Sequence, residues 1–262
     1  AFHPIAPTGL PPVVPTAWAQ SSIDTLIRDK FADHPLEPAA AAQPWQLVRR
    51  AAFDLTGLPA DPAAQEEFES NLHADRFDRL LDRMLASPAY GERWGRHWLD
   101  VARYADSNGL DENVAFGNAW RYRDYVVASW NADKPLHQFF VEQIAGDLLG
   151  SESTEQRHER LIATGFLAIG AKVLAEVDET KMEMDIVDEQ VDTVGRAMLG
   201  MTFGCARCHD HKFDPIATTE YYAMAGIFKS TRTMENFKKV ARWHENPLLT
   251  PQIQARKDEH ES

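Results

Sequence analysis

Val187, Val191, Val194, Met198, Met201, Cys205 and Cys208 stand alternately four and three residues apart, a helical stripe that runs straight into Gly204-Cys-Ala-Arg-Cys-His-Asp-His211. Apolar residues at these spacings share one face of a helix. The stripe therefore predicts a helix from about Met182 through the second cysteine, with both thiols and His209 on its buried side. Gly200 and Gly204 lie inside it, and each costs about 1 kcal/mol of helix propensity relative to alanine, which argues for something that needs room beside the backbone. Pro215 ends the segment.

The same period recurs upstream. Ile23, Leu26, Ile27 and Phe31 follow Ser22, a candidate N-cap, and Leu47, Val48, Ala51, Ala52 and Leu55 run up to Gly57 and Pro59. Further helices are expected over about Pro62 to Leu72, Phe77 to Leu85, Glu92 to Ala105, Trp120 to Trp130, Leu136 to Leu149, Glu155 to Ile169 and Glu220 to Phe228. In the third of these, Trp94, Trp98, Val101 and Ala105 mark the expected buried face. No alternating run long enough for a convincing strand is present, and no internal repeat. The fold class is mainly α: an irregular multi-helix domain over residues 21–246. A proline-rich extended arm over residues 1–20 precedes it, and a charged tail or junction over residues 247–262 follows.

The two cysteines of the motif are the only ones in the chain. Two thiols three residues apart suit addition to the two vinyl groups of one haem c, with the adjacent His209 supplying a nitrogen to its iron. A zinc site using Cys205, Cys208, His209 and His211 and a redox dithiol are the rival chemistries. Four ligands so close in sequence rarely close a tetrahedron, and a dithiol expects a thioredoxin-type strand and helix around it. Covalent haem attachment is generally completed outside the cytoplasm, so the haem reading implies an exported, periplasmic-type location.

Composition narrows the partners. With 27 basic and 40 acidic residues the formal net charge is −13, which argues against a nucleic-acid backbone as partner. Hydrophobic residues make up 44% of the chain, enough for a core without staples, and no apolar run approaches membrane-spanning length.

Several longer runs carry a family resemblance. Phe53-Asp-Leu-Thr-Gly-Leu-Pro59, Tyr90-Gly-Glu-Arg-Trp94, His97-Trp-Leu-Asp-Val-Ala-Arg-Tyr-Ala-Asp106 and Glu142-Gln-Ile-Ala-Gly-Asp-Leu-Leu149 do so, with the stretch from Gly204 to Ile216 and Tyr221-Tyr-Ala-Met-Ala-Gly-Ile-Phe228. Together the chain resembles the planctomycete-type cytochrome c domain, a family of poorly defined function. The resemblance implies haem binding, export and membership of a larger multidomain protein, with Cys205, Cys208 and His209 as attachment and proximal residues.

The other side of the iron is less determined by the sequence. His97, flanked by Trp94, Trp98 and Val101 and with Asp100 one turn on, is the candidate distal ligand, against a plain core histidine. Met198 and Met201 read as core, while Met224 and Met234 stay open as ligands. His211 and Lys212 lie too near His209 to reach the opposite face and are expected to meet haem propionates or carboxylates. Glu176, Asp178, Glu179, Glu183, Asp185, Asp188, Glu189 and Asp192 crowd before the motif. They read as a solvated face, a docking surface for a basic redox partner, or a calcium site. Asp100, Arg103, Tyr104 and Asp106 form a polar group near His97. Two functions compete: extracytoplasmic electron transfer by a monohaem domain, and a haem enzyme of peroxidase or oxidase type acting on an extracellular substrate such as a carbohydrate. The enzyme would use Asp100, Arg103 and Asp106. A third, non-enzymatic scaffold role needs the haem only as a core element.

Overall fold

A computed structural model describes residues 21–31, 37–70, 73–110, 112–238 and 240–261, together with Gly9, Pro12 and His34. The chain divides into two compact units, Ala1–Leu47 and Val48–Ser262. Apart from Gly9 and Pro12, the arm expected over residues 1–20 lies outside the described residues.

In the first unit α1 (Ser22–Phe31) is capped one residue earlier than expected. The Asp24 amide donates to Ser21 Oγ at 3.1 Å, and the Asp24 carboxylate accepts from the Ser21 amide at 2.9 Å. This reciprocal pairing satisfies two donors that a helix start otherwise leaves open. α2 (Pro44–Thr56) opens on a proline, whose fixed φ and missing N–H suit the first helical position.

In the second unit, α2 residues Val48 and Ala52 meet α3 (Pro62–Ser70) and α4 (Arg76–Leu85) in a small core with Phe68, Leu80 and Met84. α5 (Pro88–Val101) begins where Ser87 Oγ accepts the Ala89 amide and proline takes the first helical position. The remaining helices are α6 (Ala119–Asn131), α7 (Leu136–Ala145), α8 (Thr154–Ala163), α9 (Glu179–Val194), α10 (Thr218–Lys229) and α11 (Pro251–Glu261). The expected helices over 136–149 and 155–169 each end early in a 3-10 turn, Gly146–Leu148 and Thr164–Leu167. An antiparallel ribbon of β1 (Met234–Asn236) and β2 (Arg242–Trp243) escapes sequence detection because two or three residues carry no alternation.

The main core is aromatic. The Trp98 ring lies 4.9 Å from Phe139 and 5.4 Å from Phe166, and its Nε1–H donates to Tyr122 Oη at 2.8 Å. Tyr122 in turn donates to Gln143 Oε1 at 2.5 Å, so the Trp98 indole, the Tyr122 hydroxyl and the Gln143 carbonyl oxygen are paired within the core. The buried face of α5 differs from expectation: Gly91, Gly95 and Trp98 point inward, while Val101 is exposed. The missing side chains of the two glycines admit α6, whose backbone comes so close to Gly91 that a methyl group there would lie 2.5 Å from the Val127 carbonyl oxygen.

Candidate functional site

The helix predicted to run through the cysteines stops at Val194. It widens into a single π turn, Gly195–Leu199, and Gly200 takes the left-handed conformation with φ 64° that glycine adopts at little cost. The chain reverses there because Phe203 packs where Gly195 has no side chain: a Cβ on Gly195 would stand 2.7 Å from the Phe203 ring. A 3-10 turn, Phe203–Arg207, follows. Such a turn has three residues per turn, so residues three apart eclipse. Phe203 and Ala206 therefore both face inward, 8% and 0% exposed, and Cys205 and Cys208 both face solvent as free thiols. The expectation that the thiols share one side holds. The expectation that this side is buried on a continuous helix is corrected.

His209 is exposed, and its Nδ1 donates to the Asp210 carbonyl at 2.8 Å. That bond fixes the tautomer and leaves Nε2 with a free lone pair, the arrangement an imidazole ligand requires. His211 does different work. Its Nδ1 accepts the amides of Phe213 and Asp214 at 3.2 and 2.7 Å, and its Nε2 lies 2.9 Å from Thr202 Oγ1. The ring is nearly buried and closes the loop between Thr202 and Asp214, with both nitrogens occupied, instead of facing outward toward a propionate. Phe213, 83% exposed, and Tyr222, 52% exposed, flank the segment as apolar surface.

α9 holds this segment through its acidic residues. Asp192 accepts the Gly204 amide at 3.3 Å on one oxygen and Arg196 Nε at 2.5 Å on the other. Asp188, one turn back, accepts Arg207 Nη1 at 3.0 Å on one oxygen and the Tyr221 hydroxyl on the other. Burial and the adjacent Asp188 carboxylate push the Tyr221 hydroxyl above the ordinary tyrosine range. Burial opposes the charge on Arg207, but Asp188 outweighs it and holds the guanidinium above its usual value. Four more members of the acidic stretch are also engaged. Lys181 bridges Glu176 and Asp185 at 2.7 and 2.9 Å, Asp178 caps α9, and Lys229 lies 3.8 Å from Glu183. Among the described residues no three His, Cys, Asp or Glu side chains gather as a metal ion requires, so neither the zinc reading nor the calcium reading finds a cage.

The candidate distal residues fall in different places. His97 is exposed rather than buried by its neighbours, and its ring lies tilted against Trp94 at 5.3 Å, while Trp94 donates to the Asp54 carbonyl at 3.1 Å. Met234 is 5% exposed in a separate small core with Leu174, Met182 and Ile186, while Met198, Met201 and Met224 pack on the main core.

The polar group after α5 also comes apart. Asp100 and Asp106 are exposed, and the Asp106 carboxylate accepts the Tyr104 hydroxyl at 2.8 Å. Arg103 adopts φ 55°, uncommon for a residue with a side chain, and turns inward. Its guanidinium donates to the Ile169 carbonyl at 3.2 Å and pairs with Glu189, and burial pulls its pKa down to about 10. Glu189 also holds Lys172, whose buried ammonium stands 2.7 Å from the carboxylate and donates to the Ala168 and Ile169 carbonyls at 3.2 and 3.1 Å. Burial first, and then the Arg103 charge, pull Lys172 well below the ordinary lysine range. Sequence reasoning missed Lys172 and read Glu189 as part of the acidic stretch rather than as the partner of Lys172 and Arg103. The available signal was a single lysine inside the apolar run Ala171 to Leu174.

The residues at the motif suit a covalently held haem: two outward thiols on one face, a histidine with its coordinating nitrogen free, and an apolar rim. No helix among the described residues is long and apolar enough to cross a membrane. No curated protein and no solved structure matches the chain. A family model does match it, over residues 22–233, and the chain thereby belongs to the PSCyt2 family, described as a protein of unknown function (DUF1549).

Proposed function

We propose that this chain is a monohaem c-type cytochrome domain that passes electrons outside the cytoplasm. The observation carrying the reading is the outward pair Cys205 and Cys208 beside His209, whose Nδ1 is committed to the Asp210 carbonyl. Cys205 and Cys208 would hold the haem, each thiol adding its S–H across one vinyl double bond, which balances without an oxidant, and His209 would supply Nε2 to its iron. When bound, the group supplies a one-electron couple. The chain itself contributes a fixed platform: His211 and Thr202 close the loop, α9 anchors it, and Phe213 with Tyr222 provides apolar cover. A formal charge of −13 favours a basic redox partner. Electron transfer is preferred to the oxidase or peroxidase reading because Arg103, the cation that reading needs beside Asp100 and Asp106, is turned onto Glu189 and Ile169.

The test is expression with an export signal and a c-type maturation system, followed by acid–organic extraction of the denatured protein. The expected result is haem that stays with the chain, with a haemochrome band of the two-thioether type, lost in Cys205→Ala/Cys208→Ala. A folded, exported chain that yields all its haem to extraction, or takes up none, overturns the reading. Reversible one-electron reduction without carbon monoxide binding supports transfer, and carbon monoxide binding supports the enzyme.

A further inference from the structure

Asp188 and Asp192 repeat one arrangement a helical turn apart. Each gives one carboxylate oxygen to the residue immediately before a cysteine: Asp192 to the Gly204 amide at 3.3 Å, Asp188 to the Arg207 guanidinium at 3.0 Å. Each gives its other oxygen to a fixed neighbour, Arg196 at 2.5 Å for Asp192 and the Tyr221 hydroxyl of α10 for Asp188. Gly204 suits this contact, since a Cβ there would approach the Asp192 carboxylate to 3.2 Å. Tyr222 completes the clamp by donating to the Arg207 carbonyl at 3.2 Å. The Arg207–Asp188 pair is charge-assisted, and together with the longer Gly204–Asp192 contact it ties both ends of a turn of only five residues, Phe203–Arg207, to α9.

We infer that Asp188 and Asp192 are positioning residues that preset the separation and outward direction of the Cys205 and Cys208 thiols. The inference rests on the reading of these thiols as attachment points, and it assigns the acidic helix to the motif rather than to an outside partner. A disulfide demands Cβ atoms about 3.8 Å apart and a Cβ–S–S–Cβ angle near 90°. The structure holds both thiols free on the outer face of an anchored turn. Any closure that moves the turn works against the anchors at Gly204 and Arg207.

The experiment uses the haem-free full chain equilibrated with oxidised and reduced glutathione, in which two thiols reduce one oxidised glutathione and close the Cys205–Cys208 bond. The closed fraction is read by mass after alkylation. In Asp188→Ala and Asp192→Ala the closure constant is expected to rise at least tenfold over the wild type, equivalent to 29.6 mV for this two-electron couple. The conservative Tyr221→Phe and Arg207→Gln report the same effect in a chain that keeps its helix, should an alanine variant lose its circular dichroism. A closure constant unchanged in folded variants, with only a lower unfolding midpoint, overturns the inference. In haem-loaded protein the same variants are expected to accumulate the single-thioether haemochrome band. If the wild type takes up no covalent haem, the functional reading fails while the glutathione measurement still decides the positioning role.

Discussion

Alanine at two glycines of α5, one turn apart on the same face, should have opposite effects. At Gly91 a methyl group would stand 2.5 Å from the Val127 carbonyl oxygen and 2.5 Å from the Asn131 carboxamide. Asn131 has little freedom to move, because its Oδ1 accepts the Gly91 amide at 2.8 Å and its Nδ2 donates to the Pro88 carbonyl at 3.2 Å. Val127 presents backbone, so α5 and α6 must separate, and overpacking of this kind costs about 1–3 kcal/mol. At Gly95 the nearest atoms, on Val126, Trp130 and Val127, lie at 3.4–3.5 Å, ordinary contact distance. Gly95→Ala therefore keeps the gain of roughly 1 kcal/mol from helix propensity. The propensity gain is common to both sites, so the two variants should differ by about 1–3 kcal/mol, roughly 2–12 °C in Tm for a chain of this size. Urea titration followed by tryptophan fluorescence, with calorimetry alongside, measures the difference. Equal midpoints, or a less stable Gly95→Ala, would refute the close approach of these helices.

Two further predictions concern buried charge. Glu142, whose side chain is 2% exposed, accepts from Tyr125 and Lys134 at 2.6 Å each and from Gln138 at 2.9 Å. Burial opposes its charge, but Lys134, Tyr125 and Gln138 outweigh it and lower its pKa below the reference value of 4.5. A depressed folded-state pKa means stability that is complete above that value and is lost as pH falls through it, so acid titration of the unfolding free energy should show a loss below about pH 4.5 that Glu142→Gln lacks. Lys172→Ala removes a cation whose side chain is fully buried and leaves the Ala168 carbonyl and half of Glu189 unpaired, while the Ile169 carbonyl keeps Arg103, which should destabilise the fold by about 3–5 kcal/mol in denaturant titration. A loss under 1 kcal/mol would show that Arg103 alone satisfies Glu189.

Much of the fold follows from local chemistry. The 3.6-residue period located the bodies of α2, α4, α6 and α10 because each must bury one apolar stripe whatever it packs against. The start of α5 was read four residues late, at Glu92, because the apolar stripe begins there, whereas the helix opens at Pro88 on the Ser87 cap. The pairing of the two thiols on one side was legible, since it depends only on spacing. Which way that side faces was decided elsewhere. The stripe from Val187 to Cys208 is a helical pattern throughout, yet the helix ends because Phe203 finds the gap at Gly195 and Gly200 permits the reversal. Neither fact has a period.

The sequence by itself determined a mainly helical chain with a single Cys-x-x-Cys-His run and a crowd of acidic residues before it. The tertiary structure alone decided that the run is an outward 3-10 turn clamped by Asp188 and Asp192, that Arg103 joins Lys172 on Glu189 instead of an open site, and that His97 lies against Trp94 at the surface. The physical reason is common to all three. Periodicity fixes which residues of one element lie together, but partners for charges, rings and thiols come from other elements, and only packing brings those into reach.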